Sequence, residues 1–179
     1  RYDRLCDLFS LGIHRLWKQG MARRISLETG EVLLDLACGT GDIPVRLNRQ
    51  TGGPRRMIVS DTCPRMLELA AVKLADSPRP VELRLLDAET LDGVPDASVD
   101  IVSISFGMKI CNRDRVIQSA FRVLKPGGRF FCVEASRLPS PRIQAIYLLY
   151  MDFCMPVIAN LATGGDRSAY DYLLRGVHE

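Results

Sequence analysis

Asp35, Asp61, Asp87 and Ser105 each lie inside or just past a short apolar run. Three carboxylates and a hydroxyl at such places can grip a ligand laid across strand ends. Next to the first acid stands Ala37-Cys38-Gly39-Thr40-Gly41. Its small residues let backbone N–H groups come close to a ligand at the start of a helix. Asp35, an acid within an apolar strand, argues for a cationic group on that ligand. Asp61 is placed to accept both hydroxyls of a ribose, and Asp87 to accept the amino group of an adenine. Taken singly, each Asp also reads as a turn residue or helix N-cap. Together they are hard to explain by folding alone.

A dinucleotide is the obvious rival ligand. Its fingerprint needs a third glycine, G-x-G-x-x-G, for close helix–strand packing. Here Pro44 stands where that glycine belongs. Proline suits a first helical turn but cannot replace a glycine at a close contact. S-adenosylmethionine (SAM) carries such a cationic amino group beside a ribose and an adenine, although a tight turn between strand and helix would also account for the glycines.

The elements that must position these residues can be read from periodicity. Strands are expected at Val32–Leu36, Met57–Ser60, Val81–Leu86, Val99–Ser105 and Arg129–Glu134, and helices at Ile43–Gln50, Pro64–Ala75 and Arg113–Leu124. Lys125-Pro126-Gly127-Gly128 is expected to stop the third helix and turn the chain into the last strand. Strands alternating with helices predict an α/β fold with a doubly wound, mostly parallel, Rossmann-like sheet. The ligand belongs beyond the carboxyl ends of its strands, at the switch point. Ahead of the sheet, Leu5, Leu8, Leu11, Leu16 and Met21 suggest amphipathic helices. After it, Ser136–Pro141 breaks the chain before the apolar stretch Ile143–Ala162.

The 179 residues suit one domain: a helical cap over 1–27, a cofactor-binding core over 28–136 and apolar helices over 137–179. A hydrophobic content of 47% is that of a globular chain, and a net charge of +3 is too mild to argue for nucleic acid. Six cysteines show no C-x-x-C spacing and no histidine cluster, which speaks against a zinc site; they read as reduced core thiols of a cytoplasmic or matrix protein. Asp152, Pro156 and Asn160 interrupt Ile143–Ala162, so it reads as a partly exposed helix pair and not as a membrane span. The chain opens on Arg1 without a Met, which leaves room for a targeting segment upstream.

Two stretches resemble the ubiquinone/menaquinone biosynthesis C-methyltransferase family of class I SAM-dependent enzymes. One is Tyr2–Trp17, with Tyr2-Asp3, Ser10, His14 and Trp17 at the family's spacing. The other is Arg122–Ser136, built around Lys125-Pro126-Gly127-Gly128. The resemblance implies that Thr40, Asp61, Asp87, Ala88 and Ser105 hold SAM. With the loop read above, the expected cofactor set is Asp35, Ala37, Cys38, Gly39, Thr40, Gly41, Asp61, Thr62, Met66, Asp87, Ala88 and Ser105. Departures from the family pattern are Leu5-Cys6 for Met-Asn, and Lys109-Ile110 for Arg-Asn after the fourth strand. The resemblance also implies a final helix and further strands beyond Glu179, so the chain is expected to be truncated and its sheet to lack edge strands.

The implied acceptor is a ring carbon of a reduced lipid quinol. The sulfonium methyl of SAM is already activated, so the protein would supply alignment and a base. Lys109, Tyr2 and His14 are the candidate catalytic residues, with no one of them assigned as the base. The Ile143–Ala162 stretch can wall a pocket for a polyprenyl tail, or equally serve as core or homodimer interface. A lipid substrate would favour peripheral membrane contact. Two other readings stay open: a methyltransferase for a different small molecule, and a SAM-binding scaffold without activity.

Overall fold

A computed structural model describes residues 6, 7, 10, 12–25, 30–50, 54–134, 140, 142 and 149. The chain divides into two compact units, Leu16–Glu134 and Arg1–Arg15 with Ala135–Glu179. Tyr2 and Ile143–Ala162, apart from Leu149, lie outside the described residues.

The elements are α1 (Ile13–Arg24), β1 (Val32–Leu36), α2 (Asp42–Asn48), β2 (Arg56–Asp61), α3 (Pro64–Leu74) and β3 (Val81–Leu85). There follow β4 (Val99–Ser105), a 3-10 turn (Met108–Ile110), α4 (Arg113–Val123) and β5 (Leu124–Val133). Strand order is β3-β2-β1-β4-β5, and every pairing is parallel. The chain leaves β1 towards β2 on one side and later returns to β4 on the other. The switch point therefore lies between β1 and β4, as the doubly wound reading requires.

Alternation along β1 explains the two faces of the core. Val32, Leu34 and Leu36 pack on one side with Val102, Ile104, Val116, Ala120 and Val123. Leu33 packs on the other with Met21, Ile25, Leu47, Met57, Ala70 and Ile101. All five residues of β1 are buried, as expected of a central parallel strand covered on both faces. Fully burying a leucine such as Leu33 or Leu34 is worth roughly 1.5–3 kcal/mol. Asp35 shares the face of Leu33, so its carboxyl enters an apolar layer.

Three expectations are corrected. The last strand starts at Leu124, not Arg129, because Leu124 already pairs with Val99. Arg129 then pairs with Ile101, so Lys125–Gly128 bulges out of the ladder, where Pro126 has no N–H to contribute. Next, Leu16 is not on the buried face with Met21; it is 71% exposed. Five residues at 100° each turn a helix by 140° beyond a full circle, so one apolar stripe cannot hold both. Leu5, Leu8 and Leu11 lie outside the described residues. Last, among the described cysteines only Cys38 is buried, while Cys63 and Cys132 are exposed.

Candidate functional site

β1 ends in a sharp bend. Ala37 takes a left-handed φ of 47°, rare for a residue with a side chain, and the chain then reaches Gly41 at φ 80°, just ahead of α2. A Cβ on Gly41 would sit 3.1 Å from the Cβ of Ala70, so this glycine lets α2 approach α3. β4 ends in the same way, at Phe106 with φ 57°. A Cβ on the following Gly107 would come within 2.6 Å of the Ala37 Cβ. Only glycine at 107 lets the loops after β1 and β4 lie this close. Strained backbone of this kind persists where surroundings hold it, and it clusters at functional sites.

Hydrogen bonds fix the loop after β1. The Cys38 N–H donates to the Ser60 carbonyl at 2.9 Å, and the Gly39 N–H donates to Asp61 Oδ2 at 2.9 Å. Asp61 Oδ1 accepts from the Cys63 N–H at 2.9 Å, just before α3. Asp61 is thus both a turn-forming acid and a clamp on the glycine loop, with further lone pairs for a ligand. Asp87 makes a similar local turn, accepting from the Glu89 N–H at 2.8 Å, and stays exposed. Ala88 beside it is buried. Thr62 is exposed just past β2, and Met66 is half-buried in the first turn of α3.

Asp35 is 1% exposed and pairs in register with Ser103 of β4. The Ser103 hydroxyl donates to Asp35 Oδ1 at 2.5 Å. Asp35 Oδ2 is buried with no hydrogen-bond partner among the described residues. Burial pushes this carboxyl up to about 7, against the hydrogen bond of Ser103 and the charge of Lys18. An orphaned buried carboxylate oxygen fits an incoming ammonium group. Burial likewise pushes the Cys38 thiol far above its ordinary value, so Cys38 packs as an uncharged side chain.

Sequence reading missed three charged residues that frame this loop, Asp42, Lys18 and Lys73. Asp42, in the first turn of α2, takes Lys18 Nζ on Oδ2 and Lys73 Nζ on Oδ1, each at 3.2 Å. Lys73 also donates to Thr40 Oγ1 at 2.7 Å. Burial opposes ionisation of Asp42, but the two lysines outweigh it and draw the carboxyl down to about 2. Trp17 of α1 lies against Phe106, ring centres 6.1 Å apart, and the Lys18 ammonium stands 5.9 Å from the Phe106 ring centre. Nothing in the local pattern marks Lys18 or Lys73, which lie 24 and 31 residues from Asp42.

The expected set does not gather at one place with equal clarity. Asp35, Ala37–Gly41, Asp61 and Ser105 converge at the ends of β1, β2 and β4. Ser105, the last residue of β4, is buried. Lys109 sits in the 3-10 turn, its N–H donating to Glu134 Oε2 at 3.3 Å, and Ile110 is 48% exposed. His14 belongs to the other unit. It is buried, with Nδ1 2.5 Å from Ser10 Oγ and Nε2 3.8 Å from Asp7. Among the described residues no group of His, Cys, Asp and Glu could hold a metal ion, and no helix is long and apolar enough to cross a membrane.

A five-stranded parallel sheet with a glycine loop and acids at its carboxyl edge defines a class I, Rossmann-like SAM-dependent methyltransferase. The chain belongs to the ubiE/COQ5 methyltransferase family, which it matches over residues 1–179. It is 40% identical to the ubiquinone/menaquinone biosynthesis C-methyltransferase UbiE of Acidiphilium cryptum, over 99% of this chain and 71% of that protein. It is 37% identical to the mitochondrial 2-methoxy-6-polyprenyl-1,4-benzoquinol methylase of Schizosaccharomyces pombe, over 99% of this chain and 62% of that protein. Among solved structures, the Haemonchus contortus phosphoethanolamine N-methyltransferase 1, crystallised with phosphoethanolamine and S-adenosylhomocysteine, superposes with a TM-score of 0.59. The match has 20% identity and covers 69% of this chain and 26% of that one.

Proposed function

We propose that the chain methylates a ring carbon of a reduced quinol in quinone biosynthesis, with SAM as donor. The family match along the whole chain carries this reading, together with relatives named for benzoquinol and menaquinone C-methylation. In this reading the ammonium of SAM meets Asp35, the ribose meets Asp61, and the adenine lies by Asp87 and Ala88. Thr40, Ser105, Thr62 and Met66 complete the cofactor's surroundings.

When bound, SAM supplies a sulfonium methyl. The protein aligns it with the ring carbon, and a cation near Lys109 stabilises the phenolate that develops. His14 is a candidate to take the proton of the hydroxyl beside that carbon, and Tyr2 and Lys109 are candidates to orient or polarise the ring oxygen, with no base assigned. The acceptor's polyprenyl tail would bring the protein to a membrane surface, and a homodimer fits the same reading.

Incubation with methyl-labelled SAM and a panel of reduced benzoquinols and naphthoquinols tests the proposal. Label on a quinol ring supports it. SAM binding without transfer to any quinol points to a scaffold role and overturns it. Lys109-Ile110 in place of the family's Arg-Asn favours one second reading, an acceptor other than a quinol, since lysine is no substitute for a bidentate arginine. Transfer to a non-quinol acceptor alone would establish that reading.

A further inference from the structure

Ser103 is the unexplained polar residue of β4. It interrupts Val99-Asp100-Ile101-Val102-Ser103-Ile104 at a fully buried position on a central strand. A hydroxyl there costs free energy unless it is bonded, and its partner is Asp35 Oδ1. A buried acid bonded at one oxygen and, among the described residues, orphaned at the other is an unfinished arrangement. It lies on the face of β1 that carries Leu33, two residues from the glycine loop.

We propose that Ser103 is a positioning residue for the cofactor. By holding Oδ1 of Asp35 it presents Oδ2, as the anion, to the ammonium of SAM. The proposal rests on SAM binding at this loop and is independent of which acceptor is methylated.

The surrounding charges fit this role. Lys18 of α1 favours the anion, while Asp61 of β2 and Asp42 of α2 oppose it. Burial dominates and brings Asp35 to about 7, so near neutral pH the carboxyl is divided between its two forms. An ammonium at Oδ2 replaces the missing partner and stabilises the anion. The proton goes to solvent, so charge and atoms balance. Below about pH 7 each unit of acidity should then weaken SAM roughly tenfold, because only the anion binds. Above about pH 8 the α-amino group of the ligand itself loses its charge.

The test uses calorimetry on the whole chain with two ligands, SAM and methylthioadenosine. The second keeps the adenosine and sulfur but lacks the amino-acid part. For Ser103→Ala, SAM affinity at pH 7 should fall roughly tenfold or more, as for loss of a hydrogen bond to a charged group. Methylthioadenosine affinity should not change, which also shows that the variant is folded. The acid midpoint of SAM binding should move to higher pH, because a group that favours the anion is gone. Ser103→Thr should restore both. In the unaltered protein the heat of SAM binding should depend on the buffer's ionisation enthalpy near pH 7, and in Asp35→Asn it should not. Equal loss of both ligands, or no change in either, would overturn the proposal. So would SAM binding that releases no proton near pH 7.

Discussion

The two halves of the sheet's carboxyl edge are built differently. On the β1–β2 side the polar groups described above, Asp35 Oδ2 apart, are already committed. Asp61 holds the Gly39 and Cys63 N–H groups, Ser103 holds Asp35, and Lys18 and Lys73 grip Asp42. On the β4 side, the described hydrogen bonds of the turn Met108–Ile110 come from backbone N–H groups: Lys109 donates to Glu134 Oε2, while Ile110 and Cys111 donate to the Gly107 and Met108 carbonyls within the turn, and Ile110 is exposed. A cofactor is the same molecule at every turnover and rewards a prearranged site. An acceptor that must enter and leave is better met by an edge with fewer commitments. Cofactor affinity should therefore reside in the first half, and acceptor choice and rate in the second.

The largest expected effect is at Asp61. Asp61→Ala strips an acceptor from two backbone N–H groups as well as from the ribose, each such bond being worth roughly 1.5–3 kcal/mol. SAM affinity measured by calorimetry should drop by roughly two decades or more. Unchanged affinity would remove Asp61 from the site and break the division between halves.

Lys109 tests the other half. Lys109→Ala should lower kcat by roughly one to three decades while SAM affinity stays within about twofold, since the charge it removes matters only as phenolate develops. Full turnover, or a loss of SAM binding in its place, would move the acceptor's surroundings away from the β4 turn.

Lys73 gives the smallest effect and sharpens the comparison. Lys73→Met leaves Asp42 paired with Lys18, so SAM affinity should weaken only a few-fold, by about 1 kcal/mol or less as for a partly exposed ion pair. Its clearer signature is in acid. Asp42 is held at about 2, below the ordinary carboxylate value, so its contribution to stability is present above about pH 4 and is lost as pH falls towards 2. With one lysine gone that loss should be smaller and complete at a higher pH in acid unfolding followed by circular dichroism. An unshifted acid limb would mean that Lys18 alone sets the carboxyl.

How much of this was legible in the chain differs element by element. β1 and β4 are bounded as their apolar runs predict, because a buried parallel strand must be apolar along its whole length. The start of β5 is not legible, since a Pro-Gly-Gly turn looks like a stop even when the strand pairs on both sides of it. The acids at strand ends were visible because alternation fixes where a strand stops. Their partners were not: Gly39 meets Asp61 across 22 residues, and Ser103 meets Asp35 across 68.

By itself the sequence determined the order of strands and helices along the chain, the glycine loop after β1 and the acids at or near the ends of β1, β2 and β3, since these depend on local periodicity and backbone freedom. Tertiary structure alone decided that β1 and β4 lie side by side in register, with Asp35 against Ser103. It alone set Gly107 against Ala37 and brought Lys18 and Lys73 onto Asp42. These contacts join residues far apart in the chain, and they exist only once the sheet's crossover has placed the two strand ends together.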